Sequence, residues 1–303
     1  MRVIKKDDRI LSVSHLDADG VAAQIVLGNV FKNIEYINYQ FVKIDEGLPR
    51  LNFSLYDHVF VTDIYPSYHK LMDLSDKFIL LDHHETALPL HCPAKMRFVD
   101  IAQCGAALTK LFVENYFKMK LSHLDKFIFH INDYDLWIHA DPFSRKFNFI
   151  YDMYRRINKN MSEYRKRYMT GNINLTPEEA DYLASIDRDY KAVYDGLDIM
   201  EFEHIKGCFV LSATKFLNEL CHDLMNNNGY LIVFIRNTDT GHISVRHKMP
   251  SFNAGEFLTK HNLGGGHKFA AGMSAIEPAD IPKKLLTIEK FLYVNFPEIQ
   301  KSL

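Results

Sequence analysis

The sequence predicts an α/β protein with two domains: an N-terminal doubly wound, mainly parallel sheet and a smaller C-terminal α/β domain. Short apolar runs alternate with helical patterns in the first half of the chain, and a similar alternation returns near its end. A polar helical stretch separates the two patterns. Strands that alternate with helices form βαβ units, which build open parallel sheets. The 303 residues suffice for two domains of ordinary size.

The first half contains five strand candidates, several of them continuous apolar runs. They are residues 10–14, 34–39, 58–62, 78–81 and 96–99. Continuous apolar runs are typical of parallel strands that are buried on both faces. Residues 21–31 and 106–116 have the apolar spacing of the helices between these strands. This part of the chain is predicted as a first domain over residues 1–150.

The polar stretch is predicted as a helical linker over residues 151–200. Thr176, Pro177 and Glu179 mark the start of a helix within it, because Thr caps helices and Pro favours the first turn. The second domain is predicted over residues 201–303. Its elements are a strand at 208–212, a helix at 216–225, a hairpin of 230–235 with 242–246, and helices at 254–260 and 282–293.

Composition narrows the class of protein. Hydrophobic residues make up 47% and charged residues 24%, as in globular proteins, and the net charge of −2 excludes a global basic field. The four cysteines form no C-x-x-C pair or zinc spacing, so they are interpreted as reduced thiols. We find no signal peptide and no apolar stretch of membrane-spanning length. A cytoplasmic protein without membrane contact is therefore expected.

Acidic and histidine residues gather where predicted strands end. They are His15, Asp17 and Asp19 after the first strand, Asp63 after the third, Asp82, His83 and His84 after the fourth, and Asp133 and Asp135 in residues 131–137. In an open parallel sheet, ligands bind beyond the carboxyl ends of the strands. One strand-terminal Asp is more often a helix cap than a ligand. Such residues at three strand ends indicate a metal site.

The mixture of carboxylate and imidazole groups favours Mn²⁺ over the oxygen-only shells of Ca²⁺ or Mg²⁺, and Zn²⁺ stays open. Two metal ions suit the hydrolysis of a phosphate ester, since they activate water and neutralise charge on the attacking and leaving oxygens. The residue types therefore predict phosphoester chemistry.

A glycine run near the end of the chain is a second candidate site. Gly264, Gly265 and Gly266 precede His267, and their backbone N–H groups could bind a phosphate at a helix start. Arg246, at the end of a predicted strand, has the fork geometry that phosphate binding uses. A flexible loop and a surface arginine are the competing interpretations.

These segments resemble, in order, the four motifs of DHH phosphoesterases and the signature of their DHH-associated C-terminal domain. The motifs are His15 to Gly20, the strand ending at Asp63, Asp82-His83-His84, the Asp133 region, and Gly264 to Gly272. The family includes RecJ single-strand exonucleases, nano-RNases, pAp phosphatases, cyclic-dinucleotide phosphodiesterases and one class of inorganic pyrophosphatase. The sequence around the first and third motifs looks most similar to the small oligoribonuclease branch.

The resemblance implies roles for particular residues. One Mn²⁺ would be held by His15, Asp17 and Asp63, and a second by Asp19, Asp63, His83 and Asp133. Mg²⁺ or Co²⁺ could replace Mn²⁺. Asp135 competes with Asp133 for the fourth motif, and Asp133 is preferred by alignment. His84 would face the scissile phosphate, Asp82 would orient the histidines, and Arg246, Gly264, Gly265, Gly266 and His267 would hold the substrate.

The function that the resemblance implies is a Mn²⁺-dependent exonuclease or oligoribonuclease, cutting short RNA or single-stranded DNA from an end in a cleft between the domains. Basic and aromatic residues over 145–167 could follow such a strand, or could be a solvated linker helix. Alternatives are a pAp phosphatase or (cyclic) dinucleotide phosphodiesterase, and a non-catalytic binding module. The sequence leaves a homodimer open.

Overall fold

The apolar runs of the first half form one parallel sheet. The computed structural model describes residues 3–66, 77–84, 87, 96–157, 161–212, 215–266, 268–274 and 277–301. They fall into two compact units, Met1–Ser185 and Ile186–Leu303. The strands of the first unit are β1 (Arg9–His15), β2 (Asn33–Tyr39), β3 (His58–Thr62), β4 (Phe78–Asp82) and β5 (Met96–Val99). All five predicted strands are confirmed to within one residue at each end.

The order of the strands determines where a ligand can bind. The sheet runs β2-β1-β3-β4-β5, and every neighbouring pair is parallel. Every residue of β3 and β4 is buried, which explains their continuous apolar sequences. The chain leaves β1 for β2 on one side and later returns to pair β3 on the other. The carboxyl ends of β1 and β3 therefore flank the topological switch point, where doubly wound sheets bind ligands.

Seven helices accompany this sheet in the described residues. They are α1 (Ala18–Gly28), α2 (Ile44–Gly47), α3 (Gly105–Phe117), α4 (Asp125–Asp135), α5 (Ser144–Ile157), α6 (Ser162–Tyr168) and α7 (Pro177–Asp195). Helix α1 begins three residues earlier than predicted, because the side chain of Asp17 accepts the amide of Gly20 and caps it. Helix α4, which carries the fourth acidic segment, is not among the predicted elements.

The predicted helix start at Thr176 is confirmed. The hydroxyl of Thr176 accepts the amide of Glu179 at 3.2 Å, and the carboxylate of Glu179 accepts the amide of Thr176 at 2.8 Å. This reciprocal pair is a capping box. The first unit includes most of the segment predicted as a linker, and the boundary between the units falls within α7. The predicted domain limits stay a prediction.

The second unit contains a six-stranded mixed sheet. Its elements are β6 (Ile199–Glu201), β7 (Gly207–Leu211), α8 (Leu217–Asn227), β8 (Ile232–Arg236), β9 (Ile243–His247), α9 (Ala254–Lys260), β10 (Gly264–Gly266), β11 (Ala270–Met273) and α10 (Ile281–Asn295). The order is β10-β11-β9-β8-β7-β6, with only β7 and β8 parallel. The predicted hairpin of β8 with β9 is confirmed.

The predicted fold class is confirmed: one parallel α/β sheet and a second, mixed α/β sheet. Each unit has its own core. The first includes the apolar residues of β1, β3 and β4, and the second is centred on β8, β9 and α10. Among the described residues, no helix combines the length and the apolar character needed to span a bilayer. The cleft predicted between the domains stays a prediction.

Candidate metal centre and active site

The ends of β1 and β3 bring three predicted ligands together. His15 ends β1, Asp17 caps α1 directly after it, and Asp63 follows β3. The Nδ1 atom of His15 lies 2.6 Å from Asp17 Oδ2 and 3.8 Å from Asp63 Oδ2. One potential ligand atom from each residue lies within 4.8 Å of the others, the spacing of a group that could hold a cation.

A second group shares Asp63 with the first. His83 Nε2 lies 3.0 Å from Asp63 Oδ1, 3.7 Å from Asp19 Oδ2 and 3.5 Å from Asp135 Oδ2. Asp19, His83 and Asp135 satisfy the same 4.8 Å criterion, as do Asp63, His83 and His84. Asp63 therefore stands between two sets of carboxylate and imidazole ligands, which is the arrangement that a two-metal site needs.

Two features of the backbone place Asp63 in this cluster: its own conformation and the close approach of Gly105. Asp63 has a left-handed φ of 57°, which is uncommon for a residue other than glycine and is often found at functional sites. Gly105, the first residue of α3, packs directly against it: a Cβ added at Gly105 would lie 2.6 Å from Asp63 Cβ and 2.9 Å from Asp19 Oδ2. No side chain fits there, so a glycine at position 105 is a condition of the cluster.

The amino end of α3 holds Asp19 in place. Asp19 Oδ2 accepts the amide of Gly105 at 2.6 Å, and Oδ1 accepts the amide of Ala106 at 2.8 Å. Carboxylates are stabilised at helix amino ends by unpaired N–H groups and by the helix dipole. Just before the helix, the amide of Cys104 donates to Asn132 Oδ1 at 2.8 Å and so connects α3 to α4. Both carboxylate oxygens of Asp19 are thus held by backbone amides.

The electrostatics of the cluster fit a cation. Burial, together with the neighbouring carboxylates, raises the pKa of Asp63 well above its ordinary value, and the pKa of Asp135 rises for the same reasons. Among the described residues, Asp63 Oδ2 and Asp135 Oδ2 have no hydrogen-bond partner although both atoms are buried. Burial lowers the pKa of His83 despite Asp19, which favours the neutral imidazole that metals bind. The donor set suits Mn²⁺ or Zn²⁺.

His84 lies beside the cluster and is oriented by Asp82. Its Nδ1 atom is 2.8 Å from Oδ1 of Asp82, a fully buried residue at the end of β4. Its ring lies 4.5 Å from that of His83 and 4.8 Å from that of Phe41. The hydrogen bond engages Nδ1 and leaves Nε2 as the nitrogen for another partner.

In the fourth motif, Asp135 and not the preferred Asp133 lies beside His83. The preferred Asp133 is not in the cluster: its Oδ1 accepts the amide of Ala140 at 2.7 Å and its Oδ2 that of Asp141 at 3.1 Å. Burial raises the pKa of Asp133, but these hydrogen bonds and one from Ser144 lower it overall. Asp135 reaches His83 instead. On helix α4, residues two apart point in different directions, so only one of the two can face the sheet.

The C-terminal candidates have a different setting from the predicted one. Gly264–Gly266 form strand β10 at an edge of the sheet, not the start of a helix. Gly264 has a φ of 154°, and a Cβ there would lie 2.0 Å from the carbonyl oxygen of Gly272 on β11. The absence of a side chain at Gly264 therefore allows the two strands to pair closely. His267 lies outside the described residues.

Arg246 is half-buried on β9. Its guanidinium donates to Asn218 Oδ1 and to the carbonyl oxygen of Val245, both at 2.9 Å. Burial lowers the pKa of Arg246. Among the residues that the structure describes, no carboxylate forms an ion pair with it. The guanidinium keeps its charge, since an arginine side chain does not lose its proton in proteins.

The basic and aromatic segment over 145–167 is largely structural. Arg165 is buried, donates to Gln24 at 2.9 Å and lies over the ring of Tyr36. Arg167 pairs with the buried carboxylate of Glu179 at 2.9 Å. Tyr164 is fully buried. The contacts of these three residues lie within the first unit, so they contribute to its packing.

Comparison with known proteins agrees with this architecture. Residues 212–293 match the family described as the DHHA1 domain. The matched residues lie in the C-terminal unit. The earlier resemblance to DHH phosphoesterases with such a domain is confirmed by this match together with the fold. No curated protein matches the chain in sequence.

Solved structures share the fold of this chain at low identity. The pGpG-specific phosphodiesterase PggH from Vibrio cholerae has a TM-score of 0.60 at 14% identity, over 93% of this chain and 98% of that one. An exonuclease RecJ bound to manganese has a TM-score of 0.56 at 15% identity, over 97% and 92%. RecJ from Thermus thermophilus with Mn²⁺ has a TM-score of 0.55 at 15% identity over 94% of this chain. The chain spans only 52% of that RecJ.

Two aromatic residues beside the cluster escaped the sequence analysis. Phe41 follows β2 in a short 3-10 helix, and Tyr65 comes two residues after Asp63. The available signal was their position, since both follow strands whose carboxyl ends lie at the ligand-binding edge. Aromatic residues are usually core residues, so their type alone gave no reason to select them.

Proposed function

We propose that this chain is a two-metal phosphodiesterase that hydrolyses short oligonucleotides or single-stranded nucleic acid from an end. The observation that carries the proposal is the position of Asp63 between two carboxylate–imidazole groups. Unbound, such a cluster is unfavourable, since like charges repel and buried carboxylate oxygens are left without partners. Two divalent cations would remove both problems at once.

In this proposal His15, Asp17 and Asp63 bind one Mn²⁺, and Asp19, Asp63, His83 and Asp135 bind the other. Asp135 replaces Asp133, because Asp135 lies 3.5 Å from His83 and forms a group with Asp19 and His83, whereas Asp133 binds the backbone amides of residues 140 and 141. The cations, when bound, supply Lewis-acid activation of water and charge neutralisation at the phosphate. Mg²⁺ and Co²⁺ are alternative ions to be compared in the assay.

The chain's own residues then position the phosphate and handle protons. Asp82 accepts the Nδ1–H of His84, which fixes the orientation of the ring. The protonated His84 can donate from Nε2 to an oxygen of the phosphate on which negative charge develops. The rings of Phe41 and Tyr65 lie beside the ring of His84, 4.8 Å and 6.4 Å from it.

Arg246 is proposed to bind a phosphate of the substrate's terminus or backbone. Its fork of N–H donors suits a phosphate, and a half-buried guanidinium that donates to neutral oxygens gains from an anion. Strand β11 lies between β9, which carries Arg246, and β10. Gly272 of β11 pairs with Gly265 of β10, and neither residue has a side chain. His267 keeps its predicted role as a further donor.

A linear dinucleotide is the second candidate substrate. The fold likeness to PggH, whose name gives pGpG as its substrate, extends over nearly the whole of both chains. The likeness to Thermus thermophilus RecJ leaves about half of that protein unmatched. The likeness to PggH therefore supports a dinucleotide as the second candidate.

The test is a substrate panel. Purified protein with Mn²⁺ is incubated with 5′-labelled RNA and DNA from dimers to long single strands, together with pAp, pGpG and cyclic di-AMP. Asp63→Asn is the inactive control, and Asp125→Asn, at an exposed position on α4, is the matched control that should keep full activity.

Each outcome selects one function. Mononucleotide release from oligomers supports the proposal. Turnover confined to dinucleotides or pAp supports the second candidate or a pAp phosphatase. Tight Mn²⁺ binding without turnover of any substrate would overturn the enzymatic proposal and favour a binding module.

A further inference from the structure

Two aromatic rings form a wall beside the proposed reaction centre. The ring of Phe41 lies 5.4 Å from that of His15 and 4.8 Å from that of His84, nearly perpendicular to both. The ring of Tyr65 lies 5.3 Å from Phe41 and 6.4 Å from His84. Phe41 therefore contacts one proposed metal ligand and the residue proposed to face the phosphate. These two residues, Phe41 and Tyr65, are called the aromatic wall below.

The aromatic wall differs from the core of the unit in its exposure. Phe31 and Phe60 are at most 1% exposed, as expected of core rings. Phe41 and Tyr65 pack on the core from outside and stay partly exposed, as do the side chains of His15 and His84 at 24% and 22%. The exposure of aromatic surface to water is unfavourable. A flat ligand that covers this surface would therefore gain binding free energy.

The chemistry of the wall selects among phosphate esters. The faces of aromatic rings offer little to the oxygens of pyrophosphate or polyphosphate, which need cations and hydrogen-bond donors. A nucleotide, by contrast, carries a flat base one ribose away from its phosphate. Bases stack on aromatic side chains, and such stacking tolerates every base because each has a π face.

We propose that Phe41 and Tyr65 bind the nucleobase adjacent to the scissile phosphate and so make the site selective for nucleotide esters over inorganic phosphates. This inference rests on the proposed function. It specifies that the substrate of the proposed reaction carries a nucleobase. It concerns substrate positioning, and the two residues take no part in bond breaking. Base binding would account for the position of both rings at the edge of the sheet where the proposed metal ligands lie.

The kinetic experiment compares a 5′-phosphorylated dinucleotide with its abasic counterpart, in which both bases are removed. Phe41→Leu keeps an apolar side chain but removes the ring. We expect KM for the dinucleotide to rise about 10-fold, equivalent to about 1.4 kcal/mol and within the range of base stacking. The kcat should stay unchanged, and KM for the abasic substrate should not move. Tyr65→Leu should act in the same direction.

Two further variants separate stacking from packing. Phe41→Tyr retains the ring and should restore the KM of the wild type. Phe53→Leu is the matched control, because Phe53 is a partly buried ring packed on the same core without a ring contact to either histidine in the described part of the chain. An equal rise of KM for the dinucleotide and the abasic substrate in Phe41→Leu would overturn the inference.

A binding experiment tests the wall without turnover. Titration of the Mn²⁺-loaded protein with AMP and with ribose 5-phosphate, followed by calorimetry, should give about 10-fold tighter binding of AMP. Phe41→Leu should abolish that difference. Equal affinities in the wild type contradict the base-binding wall, whereas absent turnover with a preserved preference for AMP contradicts only the proposed function.

Discussion

The two units of this chain differ in the charged groups that their candidate sites contain. The N-terminal unit concentrates carboxylates and histidines around Asp63, a group that is unfavourable until cations bind. The C-terminal unit offers the guanidinium of Arg246 and a glycine strand, which can meet an anion directly. Within the proposed function, this contrast assigns metal-assisted chemistry to the first unit and substrate binding to the second. Mutations of the acidic and histidine cluster in the first unit should therefore change kcat, and mutations of the substrate-binding residues in the second unit should change KM.

The largest expected effect is at Asp63. Asp63→Asn should reduce the rate by roughly 10²–10³-fold or more, because charge neutralisation by the cations is lost. The metal-free variant should unfold at a higher temperature than the wild type at neutral pH, since the repulsion among the carboxylates is relieved. Added Mn²⁺ should stabilise the wild type much more than the variant.

Scanning fluorimetry with EDTA and with Mn²⁺, next to the rate assay, checks both halves of this prediction. Asp125→Asn should match the wild type in every measurement. Suppose that Asp63→Asn keeps the wild-type rate, or that Mn²⁺ raises its unfolding temperature as much as that of the wild type. Either result would contradict the assignment of metal-assisted chemistry to the first unit.

The second effect sharpens the comparison within the first unit. Asp135→Ala should weaken Mn²⁺ binding at least about 10-fold, as expected for a side chain that binds the metal or orients its ligands. Asp133→Ala should leave Mn²⁺ affinity unchanged and should lower the free energy of unfolding by about 1–3 kcal/mol, because two backbone amides lose their acceptor. Calorimetric Mn²⁺ titration and urea unfolding of both variants test this assignment, and the reverse pattern would restore Asp133 as the ligand.

The third effect concerns the second unit. Arg246→Ala should raise KM about 10–100-fold with little change in kcat, because a charge-assisted hydrogen bond to the substrate contributes roughly 1.5–3 kcal/mol. Arg246→Lys should recover part of the loss, since it keeps the charge but not the fork. Lys248→Ala, at an exposed position just after β9, is the control. Initial-rate kinetics that show a fall in kcat alone would move Arg246 into the reaction itself.

The smallest effect compares two glycines of the DHHA1 domain. Gly264→Ala should lower the free energy of unfolding by about 1–3 kcal/mol, because its Cβ meets the carbonyl of Gly272 and its φ is left-handed. Gly272→Ala should change stability by less than about 0.5 kcal/mol, since nothing lies within 4 Å of its added Cβ. Urea unfolding measures both. A rise of KM in a stable Gly272→Ala variant would identify that face as a substrate surface.

The parallel sheet, and the edge at which the site forms, follow from the amino-acid sequence alone. The apolar runs of β3 and β4 can be buried only between two layers, and strands of that kind leave their terminal acids at one edge. His15, Asp17, Asp19, Asp63 and His83 could therefore be grouped before any distance was known. The capping box at Thr176 and the hairpin of β8 with β9 were equally local, and both are confirmed.

The direction in which a side chain points could be determined only from the tertiary structure. Whether Asp133 or Asp135 faces the sheet depends on the rotation of α4, which is set by packing and is absent from the spacing of two acids. The glycines of β10 form a strand because β11 pairs with them, although a glycine run alone also suits a loop or a helix start. Phe41 became a candidate only when its ring was seen between His15 and His84. The local sequence pattern determines the secondary structure and the edge of the sheet at which the acidic residues lie. Contacts between residues distant in sequence determine which side chains meet there.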